Sequence, residues 1–284
     1  MLLQSELKVV APRTLAEALG LLAEHQDRAR PLAGATDAMV RIKEGQWRAP
    51  LWVDIRRLPE LQHIDEADGL VTVGAAVTYG RLLRSGLIRE RAPLLAAAAA
   101  DVGAVQIQAM GTLGGNLGTA SPAGDTIPPL FALDAEVGLC SAQGGERWVP
   151  AESFFLGPGR TVRRPDELIV GARFAPQPPG ERWKWQKLGL RGAQAISIVS
   201  LALRLGPGFA RVAYGAVGPT VLRARKCEAM LAQTAAPDAA AVRSIAQMAW
   251  KEVVPISDVR ASAAYRQQMA CALLERGLRE VLTV

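Results

Sequence analysis

The stretch G-T-L-G-G-N-L-G-T-A-S-P-A-G-D, residues 111–125, carries five glycines, three hydroxyl side chains, one Asn and one Asp, with no Lys or Arg. Glycine lets a backbone N–H approach a ligand without side-chain interference. Successive N–H groups in such a loop form a concavity of partial positive charge that suits phosphate oxygens. Thr112, Asn116, Thr119 and Ser121 add side-chain donors. Asp125 accepts only when ionised, so it is ill matched to a phosphate and well matched to a ribose or ribityl hydroxyl. The expected ligand is therefore large, with a pyrophosphate and sugar hydroxyls. A surface loop capped by Asp125 is the bland alternative. A second small-residue turn, L-A-G-A-T-D at residues 32–37, could grip the same pyrophosphate from the other side. Neither stretch is a GxGxxG or Walker loop, so the nucleotide fold is not the Rossmann one.

Composition bounds what surrounds these turns. The chain has 284 residues, enough for about two domains. Half are hydrophobic and 21% are charged, which favours a large core over disorder. The net charge is +6, from scattered Lys and Arg. That scatter argues against nucleic acid and leaves room for a phosphate cofactor or an acidic partner. Cys140, Cys227 and Cys271 are isolated, with no CxxC, so no iron–sulfur cluster or zinc site is expected in this chain. His25 and His63 lack ligand-like neighbours and read as surface residues; no metal site is expected. The odd thiol count fits a reducing compartment. No signal peptide or membrane span is evident, so a cytoplasmic location is expected.

The elements that must position the turns read as follows. Residues 14–25 form a helix with Leu15, Ala18, Leu19 and Leu22 at helical spacing, Thr14 as N-cap and Glu17 three residues on. Residues 28–45 read as a short strand, a tight turn at Gly34 and a helix with Thr36 and Asp37 in its first turn. L-W-V-D-I at 51–55 is a strand, and Val71, Val73 and Ala75 alternate in another. A helix follows Pro93. Residues 146–174 suggest a hairpin with F-F-L-G-P-G-R-T in its connection. The Pro-rich stretch 175–185 marks a domain entry. Two strands joined by Gly-Pro-Gly at 206–208 and three helices complete the chain. The last helix, expected from Ser257 to Leu282, carries Tyr265, Met269, Ala272 and Leu273 on a core stripe. Trp183 and Trp185 flank Lys184 with strand-like alternation. The arginines at 160–164 read as a solvated loop or a face for phosphate or a partner.

R-P-L-A-G-A-T-D, G-T-L-G-G-N-L-G-T-A-S-P-A-G-D, F-F-L-G-P-G-R-T, K-L-G-L-R-G-A-Q-A-I-S-I-V and Y-G-A-V-G-P-T-V-L-R-A-R-K-C-E-A-M-L follow one another in the order seen in one family. The chain resembles the FAD-binding (medium) subunit of molybdenum hydroxylases, of the xanthine dehydrogenase and carbon monoxide dehydrogenase type. The resemblance implies an α+β fold. Residues 1–174 would form a two-lobed FAD-binding domain of the vanillyl-alcohol-oxidase (PCMH) type, split near residue 55. Residues 178–284 would form a smaller α+β C-terminal domain.

The resemblance also implies residue roles. Leu32, Ala33, Gly34, Ala35, Thr36, Asp37 and Ala38 would form the first pyrophosphate loop. Thr112, Gly114, Gly115 and Asn116 would form the second. Thr119, Ser121 and Asp125 would hydrogen-bond the sugar and ribityl part of FAD. Ile169 would make a backbone contact beside the flavin ring, and Lys187 would approach the flavin and stabilise negative charge on its reduced form. Two positions depart from the family pattern. Ala35 replaces a glycine, a methyl that is accommodated if φ is negative. Gln108 stands where relatives carry Arg.

The implied function is an electron-transfer subunit. Iron–sulfur and molybdopterin-binding partner subunits would carry the 2Fe-2S clusters and the molybdenum cofactor, in a dimer of heterotrimers. FAD would pass electrons to NAD, a quinone, a cytochrome or oxygen. The alternatives are a self-contained flavin oxidoreductase and a non-redox binding protein on the same fold.

Overall fold

The computed structural model describes residues 7–234 and 236–283. A three-stranded parallel sheet opens the chain, with Leu51–Asp54 between Val9–Val10 and Ala29–Leu32. Parallel neighbours require crossovers, and the helices Leu15–His25 and Ala38–Lys43 supply two of them. The first helix begins where its sequence directs: Thr14 Oγ1 accepts from the Glu17 N–H, and Ala18, Leu19 and Leu22 are buried. The Glu17 carboxylate accepts instead from the Arg13 N–H, at 2.7 Å.

A five-stranded antiparallel sheet follows, ordered Ile64–Ala67, Leu70–Gly74, Leu168–Phe174, Glu136–Ser141, Gly145–Pro150. Its central strand is buried without a break from Leu168 to Ala172, the pattern of a strand covered on both faces. The expected hairpin over 146–174 is not formed. Strands Gly145–Pro150 and Leu168–Phe174 flank the same neighbour, Glu136–Ser141, and the connection makes its own small hairpin, Phe155–Gly157 with Arg160–Thr161. Six helices lie between Leu70–Gly74 and Glu136–Ser141, including Val105–Met110 and Leu113–Thr119.

The last sheet is an antiparallel meander of Arg182–Leu188, Val199–Gly206, Phe209–Gly215 and Leu222–Arg223. Its faces alternate as a pleated strand dictates. Val199, Leu201 and Leu203 point into a core with Ile245, Ala270, Leu274 and Leu278. Ala202, Ala213 and Trp185 join the core of the five-stranded sheet. Small side chains on that second face let the helix Ile127–Ala132 press against it. The final helix runs Ala263–Leu282, with Ser262 as its N-cap. Its buried stripe is Arg266, Ala270, Leu273, Leu274, Gly277 and Leu278. Tyr265 and Ala272, expected in the core, face solvent. The stripe instead runs through Arg266, which is buried by donating to the Ile198 and Ala216 carbonyls and to Asp258.

A buried ion pair ties the sheet systems together. Arg204 donates to Glu181 at 2.6 and 2.7 Å and to the Ala132 carbonyl at 2.8 Å. Both side chains are nearly inaccessible. Arg204→Ala strands the Glu181 carboxylate away from water, so it is expected to cost about 3–5 kcal/mol. Urea denaturation measures this, and a loss below about 1 kcal/mol would show that Glu181 finds water instead.

Candidate functional site

Two backbone segments meet where the parallel sheet faces the helices of the second sheet. The strand Ala29–Leu32 leads into the turn Ala33–Asp37, which enters the helix Ala38–Lys43. A methyl group at Gly34 would overlap the carbonyl oxygen of Met110, and one at Gly114 would overlap Ala75. These glycines therefore serve the approach of one backbone to another.

The glycine stretch is not an open loop. Leu113–Thr119 is a helix capped by Thr112, whose Oγ1 accepts from the Gly115 N–H at 3.0 Å. The N–H groups of Leu113 and Gly114 donate to Val77 and Ala75, and that of Asn116 donates to Thr112. Four consecutive donors are thus consumed within the protein. The first turn is the opposite case. Among the described residues, no protein acceptor takes the N–H groups of Gly34, Ala35, Thr36, Asp37 or Ala38. Thr36 and Asp37 precede the helix rather than forming its first turn. Ala35 has φ of 60°, in the left-handed region, so the expectation of a negative φ is overturned. Its methyl is strained where glycine is not.

A cavity of about 560 Å³ lies between the two segments, within the range of small-molecule and cofactor sites, roughly 300–1,000 Å³. Every residue from Leu32 to Ala38 lines it, together with Thr112, Gly114, Gly115, Asn116, Thr119 and Ile169. Thr119 Oγ1 donates to Asp37 Oδ2 at 3.1 Å, closing one segment on the other. Asn116 Oδ1 accepts from Thr126 Oγ1 at 2.8 Å. Ile169 sits at a register shift in its ladder, where a bulge re-aims the chain. The Phe155–Thr161 hairpin is drawn in by a bond from the Gly159 N–H to the Ala120 carbonyl, at 3.0 Å.

Ser121, Asp125 and Lys187 do not line this cavity. Asp125 and Lys187 hold each other. Lys187 Nζ donates to Asp125 Oδ2 at 2.6 Å and to the Asp101 carbonyl at 2.8 Å, while Ser197 Oγ donates to Asp125 Oδ1 at 2.6 Å. The expected hydroxyl acceptor is therefore engaged on both oxygens by protein donors. Burial pushes the Asp125 carboxyl above the ordinary carboxylate value, against the opposing pull of Lys187 and Ser197. Gln108 donates to the Ala100 and Val102 carbonyls at 2.9 and 3.1 Å, so it closes the preceding helix. His25 and His63 are each partly exposed. Trp185 is buried, with its indole N–H on Asp101 at 2.7 Å.

Sequence reasoning missed Tyr79, Arg30, Arg41, Trp47 and Trp52 as cavity residues. It also missed Ser197, which lies 72 positions from Asp125. No short motif marks these residues. Of the arginine cluster, Arg160 and Arg163 line the cavity, and Arg163 donates to the backbone of its own loop.

The cavity can be set beside known proteins. The model for the FAD binding domain in molybdopterin dehydrogenase matches residues 5–175, and that for the CO dehydrogenase flavoprotein C-terminal domain matches 186–281. The chain belongs to the FAD-binding subunits of molybdenum hydroxylases. It is 32% identical to the xanthine dehydrogenase FAD-binding subunit of Escherichia coli O157:H7, over 95% of this chain and 94% of that one. It is 30% identical to the carbon monoxide dehydrogenase medium chain of Hydrogenophaga pseudoflava, over 94% of each. A solved carbon monoxide dehydrogenase of Hydrogenophaga pseudoflava superposes with a TM-score of 0.94 at 30% identity, covering 100% of this chain and 99% of that one. Quinoline 2-oxidoreductase of Pseudomonas putida 86 superposes with 0.91 at 25% identity, covering 98% and 97%. The α+β fold expected from the family resemblance is the one observed.

The backbone geometry gives opposite expectations at neighbouring positions. Gly34→Ala forces the Gly34 turn and the Met110 carbonyl apart, at a cost of several kcal/mol from backbone overlap, on the order of 3 or more. Ala35→Gly removes the left-handed strain and is expected to raise stability by up to about 1 kcal/mol after the added chain entropy. Paired thermal melts test both, and a stabilising Gly34→Ala would refute the close approach.

Proposed function

We propose that this chain is the FAD-carrying electron-transfer subunit of a molybdenum-containing hydroxylase or dehydrogenase complex. The observation that carries the reading is the row of unpaired N–H groups at Gly34–Ala38, facing the capped helix Leu113–Thr119 across the cavity. Gly34 and Ala38 are buried and the three residues between them are half-buried or exposed, so these donors are open to a ligand, and a pyrophosphate supplies acceptors for them. The cavity volume and donor set fit FAD. When bound, FAD accepts electrons singly and delivers them in pairs.

The chain's own residues then have distinct tasks. The Gly34–Ala38 amides hold the pyrophosphate. Thr112 and Asn116 fix the second wall, and Thr119 bridges it to Asp37. Ser121, expected at the sugar end, lies outside the cavity and accepts from the Ala123 N–H. The backbone at Ile169 borders the flavin ring. Asp125 and the Asp101 carbonyl hold the Lys187 ammonium in place, and Lys187 biases the site toward negative charge on the reduced flavin. Residues 1–174 form the FAD-binding unit, split near 55, and residues 178–284 the smaller C-terminal unit. Electrons arrive from an iron–sulfur subunit, which receives them from a molybdopterin-binding subunit, in a dimer of heterotrimers. The final acceptor is NAD or another small oxidant, and the complex works in the cytoplasm. No described helix is long and apolar enough to cross a membrane.

Lys187→Met keeps most of the side-chain volume and removes the charge. The flavin's reduction potential is expected to fall, and an unchanged redox titration would remove Lys187 from the flavin's surroundings.

The isolated chain is expected to be yellow and to pass electrons from a reduced donor to an artificial acceptor. It is not expected to hydroxylate aldehydes, purines or N-heterocycles alone. Anaerobic incubation with such substrates should leave the flavin oxidised until the partner subunits are added. Those partners are expected to bury about 1,600 Å² or more. Bleaching by a substrate with no partner present would favour a self-contained oxidoreductase.

A further inference from the structure

One wall of the cavity carries charge that the backbone donors do not explain. Arg30, on the strand before the first turn, and Arg41, on the helix after it, both line the cavity with Trp47. Their guanidinium carbons lie 5.3 and 5.0 Å from the Trp47 ring centroid, within the reach of cation–π attraction. Trp47 is itself pinned: the N–H groups of Gln46 and Trp47 both donate to the Arg41 carbonyl, at 2.9 and 3.2 Å.

What sets these two arginines apart is that they share the ring of Trp47 at the cavity. Among the described residues, neither guanidinium meets a carboxylate or a hydrogen-bond acceptor, whereas Arg56, Arg147 and Arg204 each grip a carboxylate through two nitrogens. Arg160 and Arg163 line the same cavity, against only two aspartates, Asp27 and Asp37. The cavity lining therefore holds an excess of positive charge, and at Trp47 two guanidinium forks are stacked with no protein acceptor among the described residues. A guanidinium already stacked loses less freedom when it binds a phosphate. Gly118, Leu156 and Ile169 give the lining an apolar part suited to a flavin ring, and the guanidiniums suit the phosphate and adenylate part.

We propose that Arg30 and Arg41 grip the adenosine diphosphate half of FAD, and that Trp47 is the positioning residue that holds both guanidiniums for it. This rests on the placement of FAD in the cavity given above. FMN, which lacks the adenylate, gains little from the grip, so the three residues set the preference for the dinucleotide.

The test is titration of the flavin-free full chain with FAD, FMN and ADP, by flavin fluorescence and by competition. The double variant Arg30→Gln/Arg41→Gln is expected to weaken FAD about five- to 30-fold, the scale of two partly exposed charge contacts. ADP should weaken in parallel and FMN should change by less than about two-fold. The salt dependence of FAD affinity should also flatten in that variant. Trp47→Ala should reproduce part of the FAD loss, and Trp47→Phe should restore it, because phenylalanine keeps a face for both guanidiniums. Circular dichroism and a thermal melt of each variant check that it is folded. Unchanged FAD affinity, or equal losses for FAD and FMN, overturns the grip. A wild-type chain that binds neither flavin overturns the cofactor placement instead.

Discussion

The site depends on a backbone-to-backbone contact with no room for a methyl group. Gly34 lies against the Met110 carbonyl, and Gly114 lies against Ala75. The first approach brings a turn from the parallel sheet next to the end of a helix from the second sheet system, and the second seats the capped helix on the strand end beside it. The cavity is what remains between them. A substitution there alters the spacing of two elements before it alters any ligand contact. Dense packing transmits such a change, because neighbouring atoms have few voids to move into.

Polar accounting then decides which wall can hold an anion. The capped helix spends its first N–H groups on Thr112, Val77 and Ala75. The turn before it in the chain leaves five unspent. The two walls are therefore unequal, although their sequences look alike in their small and hydroxyl residues. One wall supplies donors and the other supplies shape. The bond from Thr119 to Asp37 locks their relative position. On the far side, Asp125 collects Lys187 and Ser197 from the C-terminal sheet and its loop, which couples that sheet to the rim of the site.

Much of this was legible in the sequence. Thr14, the alternation around Val71 and the Gly-Pro-Gly turn carry local signals that packing reinforces. The two small-residue segments stand out by composition, and the family's motifs follow them in order. Three things were not legible. The glycine stretch reads as a loop, because glycine is a poor helix former; here the cap at Thr112 and burial of Leu113 and Leu117 override that preference. The left-handed φ of Ala35 is imposed by the junction of two distant segments, and an alanine gives no hint of it. The partners of Asp125 lie 62 and 72 residues away, a separation that only the folded chain closes. The arginines around Trp47 sit on a strand, a helix and the loop after it, and no short motif marks them.

The central claim is that the unspent amides of the first turn, rather than the glycine stretch, receive the pyrophosphate. Amide hydrogen exchange on the full chain with and without FAD tests it directly. Exchange at residues 34–38 should slow on FAD addition, while the amides of residues 113–116, already bonded within the protein, should change little. Protection confined to 113–116, with 34–38 exchanging as before, would contradict the account.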